Sequence, residues 1–192
     1  ISSSPMIIFS LLPTARRTFF TLITLCCLVP LARANSAASP NPFHRFFGEW
    51  TLKEDRWTHN WGRGTETIKI PQHHTLCRAI NTDNSLLAVV DGPPPHGHIL
   101  WLYDRSTGAV LHLSSFGPVR IGTGGGTVNV DGDVSLKVSF SDEAPGTYRR
   151  YTYHWVSDDE YELRSVQYDK TDQPTGLFYG GYFVRLKRPA GQ

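Results

Sequence analysis

From Gly48 onward the chain alternates almost without pause between β-branched or aromatic residues and polar ones, and turn-forming residues interrupt the pattern about every ten positions. No stretch of ten or more residues keeps a helical period. Strands are therefore expected at 48–57, 64–70, 75–80, 85–91, 97–104, 109–115, 119–123, 127–130, 134–141, 147–157, 160–169 and 176–187. Between them stand reversals such as Asp104 to Gly108, Asp131-Gly132, Ser157-Asp158-Asp159 and Asp169 to Gly176, where Asp, Gly and Pro permit tight turns. Short links make sequence neighbours into sheet neighbours. Ten to twelve antiparallel strands in roughly 140 residues fit one all-β, up-and-down barrel of about ten strands.

Ahead of this region lies a segment of another kind. Arg16-Arg17 precede an apolar run from Phe19 to Leu31, and Ala32-Arg33-Ala34 follows as an Ala-x-Ala cleavage signal. Residues 1–34 thus read as a secretory signal peptide, with residues 1–5 upstream of a start at Met6. The run falls short of the roughly 20 residues that span a bilayer. Residues 35–45 are expected to be a flexible lead-in and residues 46–188 the barrel domain. The protein is then exported, to the periplasm of a Gram-negative cell, with no membrane anchor after cleavage.

Removing the leader changes the charge and the cysteine count. The whole chain holds 19 basic and 17 acidic residues, and losing Arg16, Arg17 and Arg33 leaves it slightly acidic. With no Lys/Arg run left, nucleic-acid binding is not expected. Cys26 and Cys27 leave too, so Cys77 has no disulfide partner and reads as a small buried hydrophobe.

Two features near the ends of the domain suggest how a sheet would close. Gly48-Glu49-Trp50 opens the first strand, and Arg185 sits in the last; a guanidinium stacked on an indole face would join them. With Phe47-Gly48-Glu49-Trp50, Leu102-Tyr103-Asp104 before a turn ending at Gly108, and Tyr161-Glu162-Leu163-Arg164-Ser165 after an acidic turn, the chain resembles a bacterial family of calycin-like β-barrels of uncharacterised function. The likeness runs from about Phe46 to Arg188. It implies a lipocalin-like fold, with Gly48, Trp50 and Arg185 as closure residues, and brings no chemistry with it.

Catalytic motifs are sparse. The chain has no Gly-x-Ser-x-Gly, His-Glu-x-x-His or Cys-x-x-Cys. His96-Gly97-His98 has ligand spacing on a strand but no further ligand at a recognisable distance, so loop histidines are the simpler expectation and no metal site is assigned. Gly122 to Thr127 lacks the Lys-Ser/Thr of a phosphate loop and is expected to be a hairpin turn. Pro93-Pro94-Pro95 is expected as a rigid loop at one barrel mouth, and Phe43 to Phe47 as a short helical turn closing the other.

A binding function would reside on the inward faces. Along 147–157 one face carries Tyr148, Arg150, Thr152, His154 and Val156, the other Arg149, Tyr151, Tyr153 and Trp155, and alternation alone does not choose between them. Trp101, Tyr103, His112, Arg150, His154 and Arg164 are the candidate interior ligand-binding residues, suited to an apolar or amphipathic small molecule. A filled barrel serving as an envelope interaction module, with Trp57 and Trp61 as its contact patch, is the alternative. Haem held by His112 or His154 and an enzyme of unidentified chemistry are the remaining readings. No catalytic residue or cofactor is assigned, and a monomer is expected.

Overall fold

The computed structural model describes residues 40–80 and 83–186 and places all their strands in one sheet. The signal-peptide reading of residues 1–34 lies outside the described residues. In chain order the strands are β1 (Gly48–Leu52), β2 (Arg56–Asn60), β3 (Glu66–Lys69), β4 (His74–Arg78), β5 (Ser85–Asp91), β6 (Gly97–Asp104), β7 (Ala109–Phe116), β8 (Arg120–Val128), β9 (Val134–Phe140), β10 (Tyr148–Ser157), β11 (Glu160–Tyr168) and β12 (Pro174–Arg185). From β4 to β12 each strand pairs antiparallel with the next, and β1 pairs with both β4 and β12. Ten strands thereby form a closed up-and-down barrel, the expected architecture.

The first two strands were expected as one, 48–57. They are separated by Lys53–Asp55, where Glu54 and Asp55 have φ of 54° and 60°. The left-handed backbone bends the chain without losing its partner. Gly48 opposes Cys77 before the bend and His59 opposes Glu66 beyond it, in one continuous hairpin register. β12 is long enough to serve both halves, with Trp50 opposite Arg185 and His59 opposite Tyr179.

A second difference falls on the glycine run. The segment expected to turn at 122–127 lies inside β8, which pairs with β7 and β9 over its length. Gly122, Gly124 and Gly126 oppose inward-facing Ser114, His112 and Val110. A Cβ at Gly124 would run into the Lys137 carbonyl and one at Gly126 into that of Ser135, both on β9. The glycines are there because the neighbouring main chain comes too close for any side chain.

Inward faces alternate with outward ones along most strands, although Tyr148 and Arg149 are both buried at the start of β10. Val110, Val134, Leu136 and Val138 pack the barrel wall along β7 and β9, and Tyr151, Tyr153 and Trp155 along β10. The expected flexible lead-in is packed from Asn41 onward. Asn41 Nδ2 donates to the Ser85 carbonyl at 3.0 Å, its Oδ1 accepts from the Phe43 amide at 2.9 Å, and Phe43 is wholly buried. A 3-10 turn at His44–Phe46 follows, as expected, and drives Phe46 into the barrel end among Trp101, Trp155 and Tyr161.

Candidate functional site

At the plugged end, the side-chain nitrogens of Trp50 and Arg185 are all hydrogen-bonded. The Arg185 guanidinium lies 4.3 Å from the centre of the Trp50 ring. Its Nη1 donates to the Phe47 carbonyl at 2.6 Å, Nη2 to the Arg45 carbonyl at 2.8 Å, and Nε to Asp159 Oδ1 at 2.8 Å. Trp50 Nε1 donates to the Phe46 carbonyl at 2.7 Å. Arg185 thus ties β12 to the segment entering β1, the place expected of a closure residue. Gly48 has φ of 127°, and a Cβ there would sit 2.9 Å from Arg185 Nη1, so glycine is required twice over.

Above this plug the barrel is hollow. A cavity of about 480 Å³ opens toward the far rim, walled by side chains that include Leu86, Ala88, Trp101, Tyr153, Tyr161 and Phe183. Its size falls within the range of small-molecule pockets, roughly 300 to 1,000 Å³. Pro93-Pro94-Pro95 line it at the mouth, where the sequence placed them.

A short polar chain interrupts the apolar wall. Trp101 Nε1 donates to His112 Nδ1 at 3.0 Å, and His112 Nε2 lies 3.0 Å from Ser114 Oγ. Burial pushes the His112 pKa down to about 4, which keeps the ring neutral. His73, also on the wall, is held neutral the same way, at about 4. Cys77 is buried there and its pKa is pushed up to about 12 by desolvation, which leaves a thiol with no nucleophilic character.

The mouth carries charge. Arg120 donates to both oxygens of Asp142 (2.7 and 2.8 Å) and to Glu143 Oε1 (2.9 Å). Arg149, only 2% exposed, donates through Nε to the same Glu143 oxygen at 2.6 Å, and Gln167 donates to the other at 2.9 Å. Burial alone would raise the Glu143 pKa, but these donors hold it below the usual carboxylate range. Over the Arg149 guanidinium lie the rings of Tyr179 (4.8 Å) and Trp61 (5.4 Å).

Of the residues singled out from sequence, Trp101 and His112 line the cavity together. Tyr103 shares their face but packs edge-on against Phe43 at the plugged end, away from the cavity. Three candidates point outward, which corrects their interior placement. Arg150 pairs with Asp172 at 2.7 Å and stacks on Tyr168. His154 sits 3.0 Å from Asp133, whose hydrogen bond and charge raise the histidine pKa. Arg164 borders a separate outer groove beside Glu162 and Tyr182.

Neither histidine considered for haem offers a free ring nitrogen to the cavity. Both nitrogens of His112 are engaged, and His154 is outside. Among the described residues no three His, Cys, Asp or Glu side chains are grouped to hold a metal ion. Trp57 and Trp61, expected as a surface patch, both line the cavity and pack on Tyr179, although Trp61 stays 52% exposed.

Arg120, Arg149, Glu143 and Tyr179 were not anticipated. Arg149 stood on the face of β10 opposite to the one holding the candidates, and its neighbour Arg150 is chemically identical, so nothing local told them apart. The available signal was the length of the aromatic series Tyr151, Tyr153, Trp155 sharing a face with Arg149.

No protein-family model matches this chain, and no curated protein matches it in sequence. The fold and cavity define it as a closed ten-stranded antiparallel barrel with a hollow, mostly apolar interior.

Proposed function

We propose that this protein is an exported, calycin-like barrel that binds a small apolar or amphipathic molecule in its interior. The observation that carries the reading is the cavity of about 480 Å³ inside a ten-stranded barrel sealed at one end and open at the other. A barrel with a purely structural role can fill that space with side chains. Here that space is left open, with the small Ala88 and Ser114 on its wall. Pre-formed apolar concavity of this size favours a ligand over a packed core. The secretory leader read in residues 1–34 supports action outside the cytoplasm.

Titration with an environment-sensitive apolar fluorophore tests the reading. Saturable one-to-one binding is expected, and Ala88→Phe, which fills the cavity, should weaken it at least tenfold. Native mass spectrometry of protein from its own host should show a retained small molecule. Absence of saturable binding by any apolar probe, together with an unliganded mass, would overturn the proposal.

A further inference from the structure

The direction of the Trp101–His112–Ser114 chain is fixed by chemistry. An indole nitrogen can only donate, so the His112 Nδ1 that it reaches at 3.0 Å must present a lone pair. A neutral imidazole carries one proton, which is then on Nε2 and is donated to Ser114 Oγ at 3.0 Å. Ser114 accepts that bond and retains its own proton. It cannot be deprotonated by His112, whose facing nitrogen already holds a hydrogen, so the pair has the wrong polarity for a nucleophile and its base. What remains is a hydroxyl donor on the wall of the cavity, with no acceptor among the described residues.

Two further hydroxyls are in the same position. Tyr153 and Tyr161, 6% and 5% exposed, line the cavity, and neither phenol has a hydrogen-bond partner among the described residues. Both stay protonated because burial raises their pKa. Hydroxyls that face the cavity with a proton no protein acceptor takes are free to donate to an acceptor on a bound molecule.

The mouth argues against an anion. Arg120 and Asp142 both line the cavity, but the guanidinium is already bound to Asp142 and Glu143, so an incoming carboxylate finds a cation that is spent. Of the Arg149 nitrogens only Nε is paired among the described residues, with Glu143; Nη1 is buried without a partner, and Tyr179 and Trp61 lie over the guanidinium. It is not part of the cavity wall.

We propose that the cavity selects an uncharged, ring-containing molecule bearing a carbonyl or comparable acceptor oxygen, which accepts a hydrogen bond from the Ser114 hydroxyl while its rings lie against Trp101 and Tyr153. This rests on the interior-binding reading above and specifies what that interior accepts. Selection arises because a wall with unspent donors penalises a ligand lacking the acceptor.

Three matched two-ring probes test it by tryptophan quenching or calorimetry: 2-acetonaphthone, 2-ethylnaphthalene and 2-naphthoate. The ketone should bind about tenfold more tightly than the hydrocarbon, as one added hydrogen bond allows, and the carboxylate most weakly. Ser114→Ala should bring the ketone to within about threefold of the hydrocarbon. The wild-type ranking needs no variant and stands if Ser114→Ala fails to fold. Equal binding of ketone and hydrocarbon, or tightest binding of naphthoate, would overturn the acceptor selection while leaving interior binding intact. Failure of all three to bind would overturn interior binding, and this proposal with it.

Discussion

The two ends of the barrel bury cations in opposite ways. At the plugged end, Arg185 is held mainly by main-chain carbonyls of Arg45, Phe47 and Asp158, and its face rests on Trp50. At the mouth, Arg149 and Arg120 are held by side-chain carboxylates, chiefly Glu143. Main-chain partners are fixed in position and do not titrate within the working range; of the groups on Arg185 only the exposed Asp159 carboxylate does, so that end depends far less on conditions. Carboxylate partners can be protonated or substituted, so the mouth is the end whose structure depends on conditions.

Four experiments would break or sharpen the contrast. Trp50→Ala should cost about 3–5 kcal/mol, measured by urea denaturation, because it removes a fully buried indole from the plug. Glu143→Gln should cost about 3 kcal/mol, since it leaves two arginines without their shared carboxylate. A cost as large as that of Trp50→Ala would make the mouth equal to the seam as a source of stability.

Acid should act on the mouth and cavity while sparing the seam. His112 takes up its proton near pH 6.5 when unfolded but at about 4 when folded, so its contribution is complete above 6.5 and is lost as pH falls toward 4. Between pH 7 and pH 5 this amounts to roughly 2 kcal/mol. Glu143, with its folded pKa depressed, adds a loss of the same sign at lower pH. The melting temperature should fall across this range, and His112→Gln should flatten the fall; an unchanged slope would remove His112 from the account. Arg185→Lys is expected to have the smallest effect, about 1 kcal/mol, since an ammonium cannot reproduce the forked contacts to two carbonyls.

The seam was legible because its residues are distinctive where they stand. Gly48 and Trp50 stand together at the head of the first strand and Arg185 is the one cation inside the run Tyr182 to Leu186, and the strand alternation supplied the rest of the barrel. The interior was much less so. Arg149 and Arg150 are adjacent and identical, and which of them turns inward depends on Glu143 arriving from one loop and Asp172 from another. The glycine run was misplaced as a turn because glycine serves reversals and crowded strands alike. Only the closeness of the β9 carbonyls separates the two uses. The polar chain in the cavity joins β6 to β7 across eleven residues, a distance at which no local motif operates.

The glycines of β8 also bear on how this barrel can change over evolutionary time. Gly124 and Gly126 cannot acquire side chains without displacing neighbouring main chain. Those positions are therefore inherited as they stand, and new specificities must be written in the residues that line the cavity, Trp101, Tyr153 and Tyr161 among them. Descendants of this chain should consequently diversify their ligands through those side chains while keeping glycine at 124 and 126.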